Sequence, residues 1–338
     1  MMQASPVTRV MFHGHRIHVK RDDVFHLAGN KMRKMFYLIK QSDAFYTNAH
    51  IISYGGSQSN AMLALAQVAN ARRVPFTYFS RKLLFKRGEI DEIEGNLAMA
   101  RALGMRHVEL HTDAYHELVR TRDFTTFLDD TLCFPPGTRS LYVPQGAACL
   151  EAQDGVKVLA EEINEYVRME WPDKLFSVVV PCGTGTTALY LAQHLQPEIK
   201  LFAVPCVGDA TYLQQQFRQL IDKDPSLQPQ VTVIPQVLKP KRKSRFGRLW
   251  WPLYDIYHEI LQETEIDFDL VYGAFAWHTL FSDKDVLDEV LQGGHETCVG
   301  FNEHKSGDKG VRELLYIHTG GTSGNAAMLA RYGRKNRP

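Results

Sequence analysis

From about residue 50 onward, short β-branched runs alternate with stretches of helical periodicity, a pattern that points to parallel sheets joined by crossover helices. Residues 50–54 read as a strand ending in the turn Gly55-Gly56. Residues 59–73 then set Met62, Leu65, Ala66 and Ala69 on one helical face, and residues 74–79 return as a strand. A helix over 95–103 leads to strands at 107–111 and 141–144. Further on, the amphipathic helix through Val156, Leu159, Ile163 and Val167 precedes the predominantly apolar strand 176–180, the pattern of a strand covered on both faces. More strands are predicted at 201–206, 231–235 and 314–318.

At 338 residues and 44% hydrophobic content the chain can bury a full core and divide into two modest domains. Its 39 basic and 38 acidic residues leave a formal charge of +1, so no global field draws in nucleic acid or an anionic membrane, and the expected partner is a small molecule. Cys133, Cys149, Cys182, Cys206 and Cys298 are odd in number and contain no C-x-x-C pair, which predicts neither a disulfide framework nor a metal site. The N-terminus has no apolar signal core, and no apolar run approaches the roughly 20 residues that span a bilayer, so a cytoplasmic protein is expected. The basic stretch carrying Lys239, Lys241, Arg242, Lys243, Arg245 and Arg248 has two readings: a solvated loop, or an Arg245 or Arg248 that holds a substrate carboxylate.

Four short segments carry chemistry. Gly29-Asn30-Lys31-Met32-Arg33-Lys34 sets two lysines three apart at a helix start, where they share a side. Tyr54-Gly55-Gly56-Ser57-Gln58-Ser59-Asn60 lies where a strand gives way to a helix; it is either a ligand-binding turn or an ordinary helix cap. Gly183-Thr184-Gly185-Thr186-Thr187 follows an apolar strand, without the lysine of a nucleotide P-loop or the spacing of a dinucleotide fingerprint, and so suits a monophosphate. His318-Thr319-Gly320-Gly321-Thr322 closes the last strand and offers the Thr319 hydroxyl.

Taken in order with KRDD near the N-terminus and D-x-V-Y at residues 269–272, these segments resemble the 1-aminocyclopropane-1-carboxylate deaminase/D-cysteine desulfhydrase family over nearly the whole chain. The resemblance implies an α/β, tryptophan-synthase-β-like (fold type II) pyridoxal 5'-phosphate (PLP) enzyme with two open, parallel-rich sheets. It also implies a large domain of residues 1–50 and 148–338, a small inserted domain of residues 51–147, and a homodimer. By the same resemblance Lys31 is the Schiff-base lysine, Lys34 with Gly183, Thr184, Gly185 and Thr186 holds the phosphate, and Asn60 pairs with the pyridine hydroxyl. Thr319 approaches the ring nitrogen, and Ser59 and Tyr272 face the substrate. A lysine must be neutral to attack an aldehyde, and burial near Lys34 and Arg33 is expected to depress the pKa of Lys31.

Deaminase-type members carry a glutamate directly after the motif tyrosine, where this chain has Gly273, and a proline where it has Leu270. Their second active-site tyrosine corresponds to Phe246, or is displaced to Tyr254 or Tyr257. The expected activity is therefore β-elimination from a small amino acid such as D-cysteine, giving an α-keto acid and ammonia. The alternatives are cyclopropane ring opening, a racemase or β-replacement activity on the same scaffold, and non-catalytic PLP binding.

Overall fold

The computed structural model describes residues 2–26, 28–82, 95–121, 134–228, 231–244, 247–293 and 311–337. The chain forms two compact units, Met1–Phe36 with Cys149–Pro338, and Tyr37–Ala148. The first unit opens with strands β1 (Val7–Phe12) and β2 (His15–Arg21), an antiparallel hairpin turned through His13 and Gly14 at positive φ, and continues to the one-turn helix α1 (Lys31–Lys34). The second unit holds β3 (Ala49–Tyr54), α2 (Asn60–Arg72), β4 (Phe76–Arg81), α3 (Asn96–Ala102), β5 (Arg106–Leu110), α4 (Thr112–Thr121) and β6 (Arg139–Val143). The chain then returns to the first unit with α5 (Gln153–Glu170), β7 (Phe176–Cys182), α6 (Thr186–Ala192), β8 (Lys200–Pro205), α7 (Ala210–Ile221) and β9 (Gln236–Val237). It ends with α8 (Trp251–Thr264), α9 (Gly273–Phe281), α10 (Lys284–Gln292), β10 (Glu313–His318) and α11 (Asn325–Gly333).

In the first unit the sheet order is β1-β2-β10-β7-β8-β9, with every pair after the hairpin parallel. The last strand lies between β2 and β7, pairing Leu314 with both Ile17 and Ser177. Parallel strands end at one edge of a sheet. The segments after β2, β7 and β10, which carry residues 29–34, 183–186 and 319–321, therefore leave from the same side. Strand β7 is buried along its whole length, as its run of valines favours, and its one hydroxyl, Ser177 Oγ, donates to Val290 O (2.6 Å). Phe202, Phe268, Trp277 and Tyr316 are among the large side chains of the core.

The second unit is a four-stranded, all-parallel sheet in the order β5-β4-β3-β6. Helix α2 buries most of its length and not the single face expected, because its alanines leave little polar surface to expose. The division between units falls at residue 36, ahead of the expected residue 50. The intervening segment is tied to the second unit, with Tyr46 donating to Leu38 O (2.7 Å) and Arg72 to Ile39 O (2.6 Å) and Asp43 Oδ1 (2.9 Å). The strand expected at 231–235 does not form: Val231, Val233 and Ile234 are exposed, and pairing begins only at Gln236. Among the described residues no helix is long and apolar enough to cross a membrane.

An ion cluster in the first unit fixes α1 against β2 and α5. Arg33 donates to both Asp22 oxygens (2.7 Å each) and to both Glu162 oxygens (2.9 and 2.8 Å), while Lys20 pairs with Glu162 at 2.6 Å. Two cations against two carboxylates leave it neutral. Asp22 and Arg33 are almost fully buried, so removing one partner strands a charge in low dielectric, at a cost of about 3–5 kcal/mol. Asp22→Ala is expected to lower unfolding stability by that amount in urea titrations; a loss below about 1 kcal/mol, the worth of an exposed pair, would contradict it.

Candidate active site

The site begins with a backbone contact. A Cβ built on Gly29 would lie 2.3 Å from Thr319 O and 2.5 Å from Gly320 Cα, and both glycines have positive φ. No side chain fits in that space, and the left-handed backbone there suits glycine. The Asn30 N–H donates to Thr319 O at 3.0 Å, so the turn carrying Lys31 is pinned to the loop after β10. That loop is held from behind by His318. The His318 ring accepts from the Gly320 N–H at Nδ1 (3.1 Å), lies 2.9 Å from Asp267 O at Nε2, and stacks on Phe268. These partners define the neutral Nε2–H tautomer, in keeping with burial lowering the pKa of His318.

Lys31 donates to Asn30 Oδ1 at 2.9 Å. Burial of its amine lowers the pKa to about 8, partly opposed by the Asp269 carboxylate. Lys34 falls to about 7 through burial and the nearby Lys31 charge. Arg33, expected to share in depressing Lys31, faces Asp22 and Glu162 instead, and its charge is cancelled there. The lowering comes from desolvation. Lys34 and Cys182, the residue before the glycine-threonine loop, act on each other electrostatically.

In that loop Gly185 has φ +73, and a Cβ on it would strike Phe217 at 2.5 Å and Leu213 at 2.9 Å. The Thr184 and Thr186 hydroxyls lie 2.9 Å apart. Gly183 packs against Tyr272, whose hydroxyl would be 3.0 Å from an added Cβ. Tyr272 is positioned by Asp269, a buried carboxylate that accepts the backbone N–H groups of Val271 (3.1 Å), Tyr272 (2.6 Å) and Gly273 (2.8 Å) at the head of α9. Burial pushes the Tyr272 phenol well above its ordinary range, so it remains a proton donor. At Gly273 an added Cβ would come within 3.1 Å of Asp269 Oδ2 and of Phe268 Cβ.

Lys31, Lys34, the loop 183–186, Tyr272 and Thr319 thus share one neighbourhood of the first unit. Ser59 and Asn60 belong to the second unit, at the start of α2. There Ser59 Oγ caps the helix by accepting the Met62 N–H (3.3 Å), and Asn60 Oδ1 accepts from Asn96 Nδ2 (2.8 Å). Phe246 and Arg245 lie outside the described residues. Tyr257 donates to Asp267 Oδ1 (2.9 Å), and Tyr254 packs on Tyr332, so both serve the seating of α8. In sequence Asp269 and His318 stand out only as members of their motifs. An aspartate followed at two, three and four residues by free helix N–H groups was the signal for the first.

No curated protein matches the chain in sequence. Among solved structures, an ACC deaminase homologue superposes with a TM-score of 0.72 at 20% identity, covering 97% of this chain and 94% of that one. A hydrogen sulfide-producing enzyme from Fusobacterium nucleatum gives 0.60 at 13% identity over 94% and 95% of the two chains. A fungal L-serine ammonia-lyase from Rhizomucor miehei gives 0.58 at 14% identity over 99% of each. At such identities the likeness is one of fold, the fold type II architecture expected from the sequence. The profile described as "Pyridoxal-phosphate dependent enzyme" matches residues 6–266, well over half of the chain, and the chain accordingly belongs to that family of PLP-dependent enzymes.

Proposed function

We propose that this chain is a PLP-dependent lyase that removes a β-substituent from a small amino acid, with D-cysteine as the representative substrate. D-cysteine and water would yield pyruvate, ammonia and hydrogen sulfide. The carrying observation is the half-buried Lys31, its amine driven toward the neutral form beside the buried Lys34. That donor set fits a phosphorylated aldehyde. Lys31 supplies the amine for the carbonyl, while Lys34, Gly183, Thr184, Gly185 and Thr186 suit the phosphate, and an anion beside Lys34 would restore its charge. Asn60 is assigned to the pyridine hydroxyl and Thr319 to the ring nitrogen.

When bound, PLP withdraws electron density from the substrate Cα and acidifies its proton. Lys31 is assigned to carry that proton, with the protonated Tyr272 phenol and the Ser59 hydroxyl orienting the substrate. Elimination is favoured over cyclopropane ring opening by the absence of a carboxylate at position 273. Asp269 is no substitute, because its two oxygens are engaged by three backbone N–H groups. A hydroxyl such as that of Thr319 leaves the pyridine nitrogen a weaker electron sink, which suits substrates with a good leaving group.

Two results are expected. In protein stripped of cofactor, acylation of Lys31 followed by peptide mass spectrometry should titrate with a midpoint near 8, against an ordinary lysine value of 10.5. The neutral amine gains as pH rises through 8, and a midpoint near 10 would remove the basis for Lys31 as the nucleophile. In steady-state assays, pyruvate release from D-cysteine and β-chloro-D-alanine should exceed 2-oxobutyrate release from 1-aminocyclopropane-1-carboxylate, and Tyr272→Phe should lower kcat/KM by about 10² through lost orientation. Faster 2-oxobutyrate release would overturn the assignment to elimination.

A further inference from the structure

Trp250 stands between two adjoining cavities of the first unit, and Arg242 and Phe275 line both. The larger, about 140 Å³, is floored by Phe275, His278 and Thr279 of α9, which share a helix face by their spacing. An apolar cavity of about 150 Å³ accepts benzene, so a single ring or branched chain has room. The smaller, about 30 Å³, opens onto Arg248 and Ser244.

The charge around these cavities is unbalanced. Lys241 pairs with Asp283 (3.2 Å) and Lys243 with Asp209 (2.8 Å). Among the described residues Arg242 and Arg248 have no ion pair, and Arg242 instead rests its guanidinium 4.4 Å over the Trp250 ring. The His278 ring, 4.7 Å from Trp250, is kept toward neutrality by burial and adds no cation. The walls are anchored. Ser244 Oγ donates to Cys206 O (2.6 Å), Arg331 to Gly247 O (2.9 Å), and the Trp250 N–H to Tyr332 Oη (3.0 Å).

We propose that this is a second binding site, for a small amphipathic anion whose ring-sized apolar body lies against Trp250 and Phe275 and whose carboxylate or phosphate meets Arg242 and Arg248. The site does not depend on the assignment of Lys31. A planar guanidinium held on an indole face presents its edge to an oxyanion at little further entropic cost. Tyr272 begins the same face of α9 one turn before Phe275, so an occupant would rest on the helix that starts at the substrate-facing tyrosine.

Calorimetric titration of the PLP-loaded full-length protein with benzoate and phenyl phosphate tests this, with benzyl alcohol and inorganic phosphate as half-ligands. Saturable one-to-one binding of at least one aryl anion is expected, with both half-ligands about tenfold or more weaker. The paired substitution Arg242→Ala with Arg248→Ala should weaken binding about tenfold or more, as for a lost charge-assisted contact, while Lys239→Ala should leave it within about twofold. Both arginines are exposed, and Arg242→Gln alone should still cost about threefold. Failure of both aryl anions to saturate, binding unchanged in the double variant, or inorganic phosphate binding as tightly as phenyl phosphate would each overturn the proposal.

Discussion

The close approach of Gly29 to Thr319 and Gly320 is the contact on which the candidate site depends. It joins segments about 290 residues apart at backbone distance, and it exists because β10 is inserted between β2 and β7. That insertion brings three loops to one sheet edge. The Asn30 N–H bond to Thr319 O, the His318 bond from Gly320 and the Arg33 cluster with Asp22 and Glu162 then hold the turn from three directions. A lysine on a turn so constrained has its amine position set by backbone and not by side-chain preference, which is the preorganisation a covalent anchor requires.

The electrostatics follow from the same packing. Neighbouring cations behave oppositely: Arg33 has two carboxylates and stays charged, while Lys31 and Lys34 lose hydration and give up proton affinity. Asp269 moderates Lys31 and at the same time fixes the first turn of α9, so one carboxylate links the lysine to the orientation of Tyr272. This also gives position 273 a steric reading. A glutamate there would crowd Asp269 Oδ2 and Phe268 and set a second carboxylate beside a buried one.

Much of the fold was legible in the sequence because buried parallel strands advertise themselves by short β-branched apolar runs, as Ile51-Ile52 does in β3 and the valine run 178–180 in β7. The hairpin of β1 and β2 did not. Ile17 and Val19 alternate with His18 and Lys20 as in a strand with one wet face, yet His18 and Lys20 are buried too, satisfied by Tyr166 and Glu162 from a helix more than 140 residues away. The run at 231–235 misled in the opposite sense, being apolar yet exposed. In the site, the lysines and glycine loops were legible as motifs, whereas the duty of Arg33 was not, since Glu162 lies 129 residues away. The basic stretch at 239–248 reads in sequence as a solvated loop or a substrate-carboxylate holder; only folding shows Arg242 stacked on Trp250 beside a cavity.

The most direct test of the central claim, that Lys31 is the covalent anchor of the cofactor, is borohydride reduction of the purified protein followed by peptide mapping. A pyridoxyl group on Lys31, and loss of the adduct in Lys31→Ala, are expected. An adduct mapped to Lys34, or one that persists at full yield in Lys31→Ala, would contradict it.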